Sequence, residues 1–125
     1  MKITILSLFP NMFDGFLTES IIKRAIQNEK VEVKIINFRD YSVYNNKQVD
    51  DTPYSGGSGM VMRVDIVVDA INSVKTDDST VILMSPAGTT FNQKISYDLS
   101  KKKHLIFVCG HYEGIDERIL NYVDM

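Results

Sequence analysis

Residues 80–110 read TVILMSPAGTTFNQKISYDLSKKKHLIFVCG, and the fold follows from them. VILM is a short apolar run rich in branched residues, and the SPAG that follows contains Pro86 and Gly88, which punctuate a turn. Asn92 then stands where a helix N-cap is expected, and Ile95 and Leu99, four apart, mark the inward face of a helix running to about Lys101. Three lysines close that helix, where cations suit its dipole, and a second apolar run, HLIFVC, begins at His104. Strand, turn, helix and strand within about thirty residues make a βαβ unit, which implies parallel strands.

The rest of the chain repeats this grammar. Residues 3–9, ITILSLF, form a continuous apolar run stopped by Pro10, as expected of a strand buried on both faces. A helix is predicted from about residue 16 to 27, with Ile21, Ile22, Ala25 and Ile26 on its core side. Residues 31–38, VEVKIINF, alternate Val31, Val33 and Ile35 with Glu32, Lys34 and Ile36, so this strand belongs nearer the sheet edge. A further helix over 64–74 turns Val67, Ala70, Ile71 and Val74 inward, and residues 115–122 read as the start of another. The prediction is an α/β fold: a mainly parallel sheet with flanking helices. In such sheets ligands sit outside the carboxyl ends of the strands, where SPAG and GHYEG (residues 110–114) both fall. Residues 39–60 carry no sustained period, and a loop that long in a compact domain is usually functional or disordered.

Bulk properties narrow the function. The 125 residues, 44% hydrophobic, suit one domain with a real core. Fourteen basic against 16 acidic residues give a net charge of -2, so no global field gathers nucleic acid and any such contact must be local. One cysteine excludes an internal disulfide and suits a reducing cytoplasm. No run approaches the ~20 apolar residues of a membrane span, and the amino terminus lacks a cleavage signal, so a soluble cytoplasmic protein is expected.

Single motifs decide little. SGGSGM, residues 55–60, lacks the Lys and Ser or Thr of a phosphate loop, since Met60 and Val61 follow Gly59, and Met62 stands where a dinucleotide fingerprint needs glycine. Flexible connection is the plain alternative, although Asp50, Asp51 and Tyr54 beside glycines that permit close approach favour a binding role. Cys109, His111 and Glu113 suggest a thiol nucleophile with base and orienter, as in a Cys-dependent hydrolase or amidotransferase. A lone cysteine ending an apolar strand is more often a small buried hydrophobe, and a catalytic base usually comes from elsewhere in the fold. His104 and His111 are the only histidines, and without ligands at regular spacing no metal site is expected.

In combination the motifs are specific. LSLFP, VDDTPYSGGSGMVM, LMSPAG and FVCGHYEGIDER occur in this order across essentially the whole chain, which thereby resembles the bacterial tRNA (guanine-N1)-methyltransferase family. The resemblance implies a trefoil-knotted α/β domain and transfer of a methyl group from S-adenosylmethionine to N1 of the tRNA guanosine immediately 3′ of the anticodon, by a cytoplasmic homodimer. It also implies that Leu83, Met84, Ser85, Pro86 and Gly88 line the donor's adenosine, with Gly110 admitting it to the end of the following strand. Glu113 would read the guanine edge, Tyr112 would pack beside it, and Asp50, Gly56, Gly57 and Gly59 would shape the RNA side. This chain departs from the family pattern in two places: Ser55 and Ser58 stand in a loop often written PYGGGPGM, and Ala87 replaces the Gln of SPQG. Residues 1–125 are then expected to be the amino-terminal part of the donor-binding domain. The general base, the knot closure and the carboxyl-terminal RNA-binding domain would lie beyond Met125, leaving this portion inactive alone. A non-catalytic RNA-binding module is the remaining alternative.

Overall fold

In a computed structural model, the structure describes residues 1–42, 50, 51, 61–85, 88–110, 115 and 117–125. Four parallel strands form its sheet in the order β2-β1-β6-β5: β1 (Lys2–Ser7), β2 (Glu32–Asn37), β5 (Ser79–Met84) and β6 (His104–Cys109). β2 is an edge strand, as its alternation predicts, and β1 and β6 are interior. Two further strands, β3 (Asp50–Asp51) and β4 (Val61–Met62), pair antiparallel outside this sheet. β3 falls within the long aperiodic segment and β4 just after it, and each is too short to register as a period.

The interior strand β6 shows why its sequence is continuously apolar. Ile106 and Val108 join one core cluster, with Leu6, Val81 and the inward face of the helix α3 (Val64–Val74). Leu105 packs on the opposite face with Ile82 and with Leu99 of the helix α4 (Gln93–Ser100), backed by Ile95 and Phe107. Alternate side chains of one strand thus enter two cores, which leaves no place for a polar residue along its middle. Phe38 and Met62, fully buried, carry the chain on either side of the long segment into the α3 core.

The amino ends of β1, β5 and β6 are tied by His104. Its Nε2 lies 2.9 Å from Thr4 Oγ1 and its Nδ1 2.7 Å from Ser79 Oγ, which also accepts the Thr76 N–H. The ring is buried at 5% exposure. Burial pushes its pKa below the ordinary histidine value, Lys2 lowers it further, and Glu32 opposes both. On the outer edge of β5, Asp124 answers both backbone groups of Val81: its Oδ2 accepts the Val81 N–H at 2.7 Å and its own N–H donates to Val81 O at 2.8 Å. Both backbone groups of Val81 on that edge are therefore paired rather than open.

Two predictions fail locally. The helix expected over 16–27 is broken into α1 (Asp14–Leu17) and α2 (Ser20–Gln27), because Ser20 adopts a left-handed φ of 55° that no helix tolerates in its interior. None of α2's residues is buried, and Ile21 is 72% exposed, so the apolar stripe is present without the burial that it predicts. α2 ends in a Schellman turn, with Lys30 N–H donating to Ala25 O and Glu29 N–H to Ile26 O, and Glu29 takes the left-handed position at φ 57° that glycine usually fills. The last segment is a 3₁₀ helix, Glu117–Tyr122, rather than an α-helix, and it buries Ile119.

Candidate functional site

The sheet register sets the site. β5 and β6 run parallel with Met84 opposite Cys109, so the residues that leave the two strands, Ser85 and Gly110, emerge side by side at the carboxyl end. Met84 is 54% exposed there, giving the mouth an apolar lip, and Leu83 behind it is half-buried against the α3 core. The Leu83 N–H already donates to Met125 O at 2.8 Å, so Leu83 can line a ligand but has no N–H to offer it. The turn after β5 is closed by Gly88 N–H donating to Ser85 O at 3.4 Å. A Cβ at Gly88 would stand 3.7 Å from that oxygen, an ordinary contact, so the protein's own packing does not demand glycine there. Gly110 differs: a Cβ would come within 3.2 Å of Ile115 Cγ1, tight enough that the neighbour must shift.

Ile115 joins the second half of the mouth to the first. It bridges in parallel to Met62, and Met62 is the register partner of Asp50. The backbone at Asp50, the return strand at Met62, Ile115 and Gly110 are therefore successive neighbours, although residues 50 and 115 lie far apart in sequence. The structure thus brings together Leu83, Met84, Ser85, Gly88 and Gly110, with the Asp50 backbone reaching them through Met62. The predicted residues Pro86, Tyr112, Glu113, Gly56, Gly57 and Gly59 lie outside the described residues. The roles of Met62 and Ile115 were missed, and the signal was their placement just after the glycine-rich segment and just after GHYEG.

The rival thiol chemistry loses ground here. Cys109 is half-buried, and desolvation pushes its thiol above the ordinary cysteine value, the reverse of what a nucleophile needs. Among the described residues no group of three His, Cys, Asp or Glu side chains is placed to hold a metal, and no helix is long and apolar enough to cross a membrane.

The exposed Met84 lip and the open Gly88 turn at adjacent ends of parallel strands define an α/β domain with its candidate ligand site at the strand ends. The chain belongs to the tRNA (Guanine-1)-methyltransferase family, TrmD, whose model matches residues 1–125. It is 56% identical over 124 residues to the tRNA (guanine-N(1)-)-methyltransferase of Malacoplasma penetrans, covering 99% of this chain and 55% of that protein. The Staphylococcus carnosus protein of the same name is 51% identical, with 98% of this chain and 51% of the relative covered. The crystal structure of tRNA (m1G37) methyltransferase from Aquifex aeolicus superposes with a TM-score of 0.85 at 35% identity, covering all of this chain and 57% of the other. The chain thus spans about half the length of the curated relatives that it matches.

Proposed function

We propose that the protein carrying these residues transfers a methyl group from S-adenosylmethionine to N1 of the tRNA guanosine immediately 3′ of the anticodon, as a cytoplasmic homodimer. The observation that carries the reading is the register Met84 opposite Cys109, which sets the turn after β5 beside Gly110 in a chain of this family. The exposed Met84 lip and the open backbone at Gly88 suit the flat adenosine of the donor, whose sulfonium would supply an activated methyl group, and Gly110 stands beside them at the end of β6. Leu83, Met84, Ser85, Pro86, Gly88 and Gly110 line that side.

The chain's own residues then have three tasks. The target base must leave its stack and be read on its Watson–Crick edge, which we assign to Glu113 with Tyr112 packed beside it. Reacting atoms must be aligned, which the rigid strand ends supply. Guanine N1 carries a proton at neutral pH, so a base must take it while charge grows toward O6. We place that base outside residues 1–125, in keeping with the greater length of the relatives, so that these residues form the donor-binding portion and do not methylate RNA alone. We assign Asp50, Gly56, Gly57 and Gly59 to the RNA side; the Asp50 backbone pairs with Met62, which bridges to Ile115 at the mouth.

The test compares the full-length protein with its Glu113→Gln variant, using tRNA and methyl-labelled donor. Loss of the guanine reader lowers kcat/KM by about 10²-fold or more, with the melting temperature within a few degrees of the parent. Equal rates in the two proteins remove Glu113 from the site. Protection of the full-length protein against melting by tRNA but not by S-adenosylmethionine supports the non-catalytic RNA-binding alternative instead.

A further inference from the structure

The lysines that the site does not use are Lys94 on α4 and Lys101 to Lys103, which cap and follow its carboxyl end. Leu99 is buried and Ile95 half-buried toward the sheet, which turns Lys94, Tyr97 and Lys101 outward along one side of the helix, with Phe91 preceding them. Phe91 is 68% exposed and Tyr97 60%, and Lys94 and Lys101 to Lys103 are all exposed. The Lys101 ammonium sits 4.2 Å from the centre of the Tyr97 ring, so one cation is held in place by an aromatic face before any partner arrives. Between residues 91 and 104 stand four lysines and one acidic residue, Asp98, in a chain where acidic residues outnumber basic ones 16 to 14. The stripe is therefore a local basic patch on an otherwise acidic protein.

Its position connects it to the mouth. Phe91 lies three residues beyond Gly88, at the carboxyl end of the sheet, and Lys101 to Lys103 lie at the amino end, next to β6. Lys94 and Lys101 are about 10 Å apart along the helix axis, a span suited to two separate phosphates of one strand. We propose that the Phe91–Lys94–Tyr97–Lys101 stripe is a contact surface for the phosphate backbone of the RNA whose base enters the mouth, with the lysine ammoniums on phosphates and the Phe91 ring open to stacking. The proposal rests on the methyl-transfer reading for the identity of the RNA. Its grounds are charge complementarity, the Lys101 ammonium over Tyr97, and the start of the stripe at the carboxyl end of the sheet, where the mouth lies.

The experiment uses the full-length protein and a Lys94→Glu/Lys101→Glu variant, with tRNA affinity measured by fluorescence anisotropy from 50 to 200 mM salt. The variant is expected to bind tRNA at least about tenfold more weakly at low salt, with a plot of log affinity against log salt shallower by about 1.5–2. Its affinity for S-adenosylmethionine by calorimetry stays within about twofold of the parent, as befits a surface away from the donor. Should reversal impair folding, seen as a large drop in melting temperature, Lys94→Gln/Lys101→Gln removes the same cations and is expected to flatten the salt slope equally. Unchanged tRNA affinity and slope, with the parent still methylating tRNA, overturn the stripe while leaving the methyl-transfer reading intact. A parent that neither binds nor methylates tRNA overturns both. Loss of binding to phosphatidylglycerol vesicles with tRNA affinity retained reassigns the stripe to a membrane surface and overturns the proposal.

Discussion

His104 offers a quantitative test of how the amino end of the sheet is held. In His104→Leu the side chain keeps much of its volume but loses both ring nitrogens. Thr4 Oγ1, in a residue 1% exposed, then stands without its 2.9 Å partner, a cost of about 1–3 kcal/mol for a buried polar group left unpaired. Ser79 Oγ loses its 2.7 Å contact but keeps Thr76, so about 1 kcal/mol more is expected there. The total of about 2–4 kcal/mol corresponds, in the full-length protein, to a fall in melting temperature of roughly 4–16 °C at about 2–4 °C per kcal/mol. Thr4→Val alone strands the imidazole instead, and costs about 1 kcal/mol or more. In the Thr4→Val/His104→Leu double variant no buried hydroxyl remains unpaired, so its loss is expected to be smaller than the sum of the single losses. Protonation gives an independent readout. The pKa of His104 is lowered in the fold, so as pH falls the unfolded chain takes up the proton first. The stabilisation is complete above about pH 6.5, the value of an unperturbed histidine, and is lost as pH falls through the lower folded value. Calorimetric melting of the full-length protein between pH 8 and 5 checks both effects. A double variant as unstable as the sum of its singles, together with a His104→Leu protein whose acid dependence matches the parent's, would refute the reasoning.

Three further outcomes follow from other residues. Glu29→Gly relieves the left-handed strain at the end of α2 and is expected to stabilise the protein by about 1 kcal/mol, seen as a rise of a few degrees in melting temperature; a fall would mean that the Glu29 side chain makes a contact worth more than the strain. Gly110→Val drives a branched Cβ into Ile115 and disturbs the proposed donor side, so the S-adenosylmethionine Kd should rise at least about tenfold, whereas an unchanged Kd removes Gly110 from the donor side. The Cys109 thiol, raised by burial, should stay unmodified by iodoacetamide at pH 7 over a time in which a free cysteine is fully alkylated, and rapid labelling would revive the thiol mechanism.

The parallel sheet was legible because a strand buried on two faces must be apolar throughout, and residues 104–109 and 3–9 carry that pattern. The α4 helix was legible from both its ends: Asn92 does accept the Ile95 N–H at 2.9 Å, as its residue type at that place suggests. The break at Ser20 was not, since hydrophobic spacing carries no information about a single left-handed φ, and Ile21 and Ile22 keep helical spacing whether or not anything covers them. The β3–β4 pair was hidden because two residues per strand make no period. At the site, the two loops at the strand ends followed from topology, but their adjacency required β5 and β6 to be neighbours, which chain order alone suggests without fixing. The Met62–Ile115 link had no signal in either residue by itself. The roles given to Glu113 and to the donor-lining residues came from the family resemblance, because an acidic side chain in a loop reads equally well as a solvated turn.

The central claim concerns one atom of one nucleoside, and nucleoside analysis of the product addresses it directly. Full-length protein is incubated with unmodified tRNA and S-adenosylmethionine, and the RNA is digested and resolved by liquid chromatography and mass spectrometry, with position read from nuclease fragments. The expected product is 1-methylguanosine in the fragment that begins just 3′ of the anticodon, in an amount that grows with time and depends on the donor. A methyl group on another atom or at another position, or no methylated nucleoside from a protein that binds both tRNA and donor, would contradict it.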